Sequence, residues 1–341
     1  MLIFYTDLHR LHNPPFELFD GGQHMPYLES PDRMERILSA LKEQDWAEVR
    51  APEYFGLDPI LAVHDKDYVD FLRTAYEEWT QAKTDYEKTA LLPATFPPRG
   101  WSHRPKSILG RAGYYMFDLS APIMDGTYRA ALGSVNCALG GAKAIEKGAR
   151  SAFALCRPPG HHAGKSFCGG YCYLNNAAIA ANWLSAVGKV VILDIDYHAG
   201  NGTQDIFYER GDVLTISIHA DPEGEYPAFC GYADETGAGQ GSGWHCNFPL
   251  PAGTDDIRYL STLNEALGLI QSFAPAFLVL SAGMDLYEGD PLGTFKITRD
   301  GLRQIGKRIS ALKLPTLIVM EGGYDNAALG HNITTLLNNF L

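Results

Sequence analysis

The sequence predicts an α/β fold, a central and mostly parallel sheet with helices on both faces. Apolar runs of strand length, Ala152 to Cys156, Val190 to Asp194, Val213 to Ile218, Phe277 to Leu280 and Thr316 to Met320, are continuous rather than alternating, as strands buried on both faces must be. Segments of helical periodicity, Asn176 to Ala186, Thr254 to Phe273 and Thr298 to Leu312, lie between them, the order expected of a sheet wound with crossover helices. No Pro/Ser-rich linker divides the 341 residues, so one domain spanning 1–341 is expected.

Met1 to Asp7 reads as a first strand, because its apolar run is too short and lacks the basic flank of a signal peptide. A helix follows, with Ser30 as its cap, Pro31 at its first position and Met34, Ile37, Leu38 and Leu41 on one face. Tyr68, Phe71, Leu72, Ala75 and Trp79 mark a second core-facing stripe. Thr84 to Arg111 breaks the rhythm with Pro, Lys, Arg and Thr, and includes Phe96, Pro97, Pro98 and Trp101. Long loops in compact domains are functional or disordered, and its aromatics favour a packed loop, at a subunit interface for instance. No apolar stretch reaches the roughly 20 residues of a membrane span.

A net charge of -12 argues against nucleic acid as a partner, since phosphate contact needs clustered Lys and Arg. It would suit a cationic substrate, although an acidic surface also serves solubility. Cys137, Cys156, Cys168, Cys172, Cys230 and Cys246 show no paired Cys-x-x-Cys spacing. They read as free thiols in a reducing cytoplasm, where the Asn201-Gly202-Thr203 sequon has no meaning as a glycan site.

In open α/β sheets ligands bind beyond the carboxyl ends of the strands. Four such ends carry the chemistry: Arg157-Pro158-Pro159-Gly160-His161-His162, Asp194-Ile195-Asp196-Tyr197-His198, Ser281-Ala282-Gly283-Met284-Asp285 and Glu321-Gly322-Gly323-Tyr324. Along an extended strand Asp194, Asp196 and His198 would share one face. Singly, each residue has a structural explanation: a histidine pair in a loop, an aspartate capping a helix, a tight turn with an aromatic anchor. Together they make a metal site. Asp196, His198 and Asp285 would leave an open coordination position that suits zinc, although iron(II), cobalt and manganese also accept such ligands.

Two carboxylate ligands would leave a bound water less acidic than an all-histidine zinc does, so a base is needed. His161 and His162 could supply it, one taking the proton and the other assisting or protonating the leaving group. Asp194 could accept a proton from one histidine and Asn201 orient the other. Tyr324 would offer its hydroxyl to a developing oxyanion, with Gly322 and Gly323 allowing close backbone approach. Water activation with carbonyl polarisation is amide or ester hydrolysis.

These blocks, with Gly169-Gly170-Tyr171-Cys172-Tyr173-Leu174-Asn175-Asn176 and Ala199-Gly200-Asn201-Gly202, resemble the signature segments of the histone deacetylase superfamily, and within it the bacterial acetylpolyamine amidohydrolase branch. The likeness runs from Val63-His64 to the C-terminus. It implies the arginase-deacetylase fold, one zinc on Asp196, His198 and Asp285, and His161 and His162 as the tandem histidines partnered by Asp194 and Asn201. Tyr324 becomes the carbonyl-polarising residue. Tyr171 and Tyr226 become walls of the substrate tunnel, with Gly170 beside them. The resemblance also implies structural potassium on main-chain oxygens of Asp194, Asp196, His198 and Ile218 and the Ser217 hydroxyl. The loop at 84–111 would then make a homodimer that narrows the entrance.

Two departures stand out. Ala199 replaces a second histidine usual in the family, and its position should change packing rather than the metal site. Around Gly113-Tyr114-Tyr115, where polyamine-directed relatives carry acids, stand Leu109 and Ser120, with Asp118 the nearest acid. Glu17, in an early loop that matches the rim of relatives, could pair with a substrate ammonium or be an ordinary loop glutamate. The expected activity is hydrolysis of N-acetylated small cationic amines. The alternatives are an acyl-lysine deacylase acting on peptides or proteins and a non-catalytic binding protein on the same fold.

Overall fold

In the computed structural model, which describes residues 1–19, 22–82, 89–101 and 103–341, eight strands form one sheet in which every pairing is parallel. They are β1 (Leu2–Phe4), β4 (Glu48–Arg50), β5 (Ser151–Ala154), β6 (Val190–Asp194), β7 (Val213–Ala220), β8 (His245–Leu250), β9 (Phe277–Ala282) and β10 (Thr316–Met320). A short antiparallel hairpin, β2 (Glu17–Phe19) with β3 (Gln23–Met25), stands apart.

The spatial order is β4-β1-β5-β10-β9-β6-β7-β8. The four strands whose ends carry the candidate motifs, β5, β10, β9 and β6, are therefore consecutive neighbours at the centre of the sheet, although the chain visits them far apart.

Side chains alternate between two cores. Ile192, Val279, Leu317 and Val319 pack with α3 (Lys66–Gln81), α5 (Thr127–Glu146) and α6 (Asn176–Ser185). Val191, Leu193, Leu278, Leu280 and Ile318 pack with α1 (Asp32–Lys42), α8 (Asp256–Phe273), α9 (Arg299–Ser310) and α10 (Leu329–Leu337). Two buried faces explain why these strands read as unbroken apolar runs.

Three local expectations change. Ser30 does not cap α1 with its hydroxyl: Pro31 occupies the cap position without a side-chain bond, and the Ser30 carbonyl accepts the Arg33 N–H at 3.2 Å. The loop that starts near 84 ends early, because α4 (Ile108–Tyr115) takes its last residues. Its aromatics are not packed in this chain, since Trp101 is 74% exposed and Phe96 41%; residues 83–88 and 102 lie outside the described residues. Half of the 20-residue α5 is Ala, Gly, Ser and Cys, which weakens its apolar stripe. Small residues let it lie close on the sheet, where a Cβ on Gly141 would strike Leu317. Two shorter helices, α2 (Asp58–Leu61) and α7 (Asn201–Phe207), complete the set used below.

Leu280 is fully buried at the sheet centre. Leu280→Ala should cost about 2–5 kcal/mol, read as a lower urea midpoint with an unchanged slope.

Candidate active site

Beyond Asp194 the chain leaves the strand, so the shared face of Asp194, Asp196 and His198 does not come from pleating. Successive Asx-type turns produce it: Asp194 Oδ1 accepts the Asp196 N–H at 3.0 Å, and Asp196 Oδ1 accepts the His198 N–H at 2.9 Å.

This turn pair separates the roles. Asp194 Oδ2 lies 2.9 Å from His161 Nδ1. His198 Nδ1 lies 3.3 Å from Asp196 Oδ1 and 3.2 Å from Asp285 Oδ2. One donor atom from each of Asp196, His198 and Asp285 falls within 4.8 Å of the others. Both aspartates are buried and His198 is nearly so. Burial, then the charge of Asp196, pushes Asp285 up to about 7. Burial disfavours charge on His198, but Asp196 and Asp285 outweigh it and carry it up to about 10. Two buried carboxylates facing one imidazole are an excess of negative charge that a divalent cation would neutralise, and the O, O, N donor set suits zinc.

The tandem histidines meet at 4.0 Å between ring centres. His162 Nδ1 lies 2.6 Å from Asn201 Oδ1, at the start of α7. A carbonyl oxygen can only accept, so this bond places the proton on Nδ1 and leaves Nε2 free. Burial, then the neighbouring His161 and His198, hold His162 well below its ordinary pKa. Burial works the same way on His161, but Asp196 and Asp194 outweigh it and hold that ring well above.

Tyr324 closes the opposite side. Its N–H donates to Asp290 Oδ2 at 2.6 Å, and the Arg33 guanidinium lies 4.9 Å above its ring. Burial raises its pKa well above the ordinary value, with Arg33 opposing, so the phenol remains an O–H donor. Gly322 must lack a side chain because a Cβ would collide with the Asp285 and Asp196 carboxylates.

Behind this wall is an ion cluster that the sequence did not announce. Glu29 Oε1 accepts from Arg33 at 2.8 Å and from Arg157 at 2.9 Å, all three being buried. Arg33 also donates to the carbonyls of Gly323 at 2.6 Å and Glu321 at 2.7 Å. Arg33 and Glu29 stand four apart in sequence, a spacing of ordinary surface pairs, and only burial distinguishes them.

A cavity of about 480 Å³ leads to these groups, lined by His161, His162, Tyr171, His198, Tyr226 and Tyr324 among others. Gly170, Tyr171 and Tyr226 are among the residues lining it. Glu17 does not face the mouth: it is buried, accepting the Leu28 N–H at 2.9 Å and the Tyr171 hydroxyl at 2.6 Å. Burial comes first among the causes that raise its pKa, and it reaches the cavity only through Tyr171. Among the described residues, the acids lining the cavity are Asp118 and Glu225. Asp118 Oδ2 accepts from the Gly170 N–H at 2.8 Å and from the Tyr226 and Ser120 hydroxyls, each at 2.7 Å. Ser120 lines the cavity too, whereas Leu109 is a surface residue.

Ala199 is buried, and a Cβ on Gly231 would meet its methyl and the His219 ring at 2.8 Å. The methyl of Ala199 thus packs closely under the Gly231 loop. Ser217 pairs in register with Asp194 across β6 and β7, and its hydroxyl lies 2.7 Å from His219 Nδ1.

His161, Cys172 and Glu321 also bring donor atoms together. Their atoms are already engaged, however: Asp194 holds the ring of His161, two N–H groups bind Glu321, and burial pushes the Cys172 thiol well up. All six cysteines are free thiols.

A histone deacetylase domain model matches residues 27–340. The chain belongs to the histone deacetylase family. Among its relatives, acetylpolyamine amidohydrolase 2 of Pseudomonas aeruginosa is 46% identical over 100% of this chain and 98% of that protein. Acetylpolyamine amidohydrolase of Mycoplana ramosa is 44% identical over 99% and 98%. The crystal structure of acetylpolyamine aminohydrolase from Burkholderia pseudomallei superposes with a TM-score of 0.95 at 41% identity, covering 100% of this chain and 98% of that one. The fold is therefore that of the deacetylase family.

Asp194→Asn keeps the shape but removes the charge that holds His161. Turnover should fall by roughly 10²- to 10⁴-fold, as for other aspartates that orient a catalytic histidine, measured as kcat on protein of unchanged metal content.

Proposed function

We propose that this protein is a zinc-dependent deacetylase of N-acetylated small cationic amines, acetylpolyamines above all. The supporting observation is that the cavity over the metal-donor cluster is lined by Asp118 and Glu225 and, among the described residues, by no lysine or arginine. A mouth of this sign concentrates cations and repels anions. The full-length likeness to acetylpolyamine amidohydrolases favours the same substrate class.

Asp196, His198 and Asp285 would hold the ion. Zinc so bound would polarise a carbonyl and acidify water. The free Nε2 of neutral His162 accepts the proton of the attacking water, while Asn201 fixes its Nδ1–H. His161, its Nδ1 held by Asp194, donates to the departing amine nitrogen as the C–N bond breaks, releasing acetate and the free amine. Tyr324 donates its hydroxyl to the oxyanion. Tyr171 and Tyr226 flank the aliphatic chain, and Glu17 holds the Tyr171 hydroxyl in place.

Potassium would sit between β6 and β7 on carbonyls of Asp194, Asp196, His198 and Ile218 with the Ser217 hydroxyl, an all-oxygen set that suits a hard cation. The exposed Trp101 and Phe96 of the 89–107 segment, with Phe229 at 86% exposure, favour a homodimer whose partner surface would cover them. Among the described residues no helix is long and apolar enough to cross a membrane.

Zinc-loaded protein assayed on acetylputrescine, acetylcadaverine, acetylspermidine and an acetyl-lysine peptide should release acetate fastest from the small acetylated amines. Preference for the peptide would point instead to a lysine deacylase, and no release from any of them would sink the reading. Tyr324→Phe should lower kcat roughly 10²- to 10³-fold through loss of one oxyanion donor, with zinc content unchanged.

A further inference from the structure

Glu321 is fully buried just past β10, and among the described residues neither of its carboxylate oxygens meets a lysine or arginine. Oε2 accepts the N–H of Gly160 at 2.7 Å and of His161 at 3.2 Å. Oε1 lies 3.4 Å from the Ser281 hydroxyl on β9. Apart from the nearby His161 ring, the Glu321 oxygens are satisfied by N–H and O–H donors, and a carboxylate buried this way is costly unless those hydrogen bonds do something the fold needs.

These bonds continue a ladder. β5 and β10 are paired up to Ala154 and Val319, and beyond that point the two chains part toward different halves of the site. The Glu321 side chain bridges the gap, fastening the His161 segment to the segment that carries Tyr324. His161 is then held along its main chain and at Nδ1. Its N–H meets Glu321, and its carbonyl accepts the N–H groups of Gly202 at 3.0 Å and Thr203 at 3.1 Å on α7. Its ring meets Asp194. Arg33, donating to the Glu321 carbonyl, holds the other side of the same joint.

We propose that Glu321 is a positioning residue for the deacetylation described above, one that sets the distance between the histidine pair and Tyr324 by clamping the main chain of Gly160 and His161. It acts as a hydrogen-bond acceptor at a fixed point. A displacement of about 1 Å in a catalytic group costs on the order of 10²-fold in rate, so a small slackening of this joint is felt in turnover and not in binding, because Glu321 does not line the cavity.

The clamp rests on the deacetylase reading for its kinetic test, and amide hydrogen exchange tests it without that reading. Glu321→Ala should lower kcat on acetylputrescine roughly 10- to 100-fold, with KM changed less than about 3-fold and zinc content unchanged. Glu321→Gln, which keeps an acceptor oxygen of the same reach, should restore kcat to within about 5-fold of the parent enzyme. In exchange measured by mass spectrometry on the zinc-loaded full chain, the peptide covering 155–164 should lose protection in the alanine variant and keep it in the glutamine variant. Unchanged kcat and protection in Glu321→Ala would overturn the proposal, as would a Glu321→Gln variant as impaired as the alanine one. If the parent enzyme hydrolyses no acylated amine, the function fails, and the exchange pattern alone decides the clamp.

Discussion

The site depends on one constraint: five carboxylates lie buried within or beside the centre of the sheet, and their oxygens must be satisfied without water. Main-chain N–H groups do most of this. Asp194 and Asp196 accept from the chain two residues on. Asp285 accepts from Tyr197 at 3.0 Å, and Asp196 also from Gly322 at 2.9 Å. Asp290 accepts from Tyr324, and Glu321 from Gly160 and His161. Each carboxylate is therefore a joint between two loops, and the loops cannot move independently of the charges.

This arrangement explains how a cluster of acids can sit in a dry interior without paired cations for each. Asp196 and Asp285 retain an oxygen facing His198, which leaves the excess negative charge that favours a divalent ion. Asp194 is turned one step away, toward His161. Two aspartates separated by a single residue thus take different roles because consecutive Asx-type turns aim them at different partners.

The buried Glu29, Arg33 and Arg157 form a second layer. Ionic groups of this kind are weak evidence for stability, since desolvation offsets much of their attraction. Here the arginines also grip carbonyls, those of Glu321 and Gly323 for Arg33 and those of His9 and Glu29 for Arg157. The cluster ties α1 to the Tyr324 segment and to the residues preceding His161.

The sequence by itself determined the strand runs, the class of fold and the candidate groups for chemistry. Continuous apolar runs and terminal His, Asp and Tyr clusters are local patterns, written in residue type and spacing. It was weaker where partners are distant. The helix cap at Ser30, the Ala- and Gly-built α5 and the edge strands β4 and β8 carry little periodic signal. Glu17 looked like a loop acid because nothing local shows that Leu28 and Tyr171 occupy its oxygens. Only the tertiary structure decided that β5, β10, β9 and β6 lie side by side, that Asp118 rather than Glu17 lines the mouth, and that Glu321, Asp290 and Arg33 brace the main chain of the site. The physical reason is that hydrogen bonds spanning up to 290 residues of chain depend on how strands are ordered in the sheet, which residue spacing does not encode.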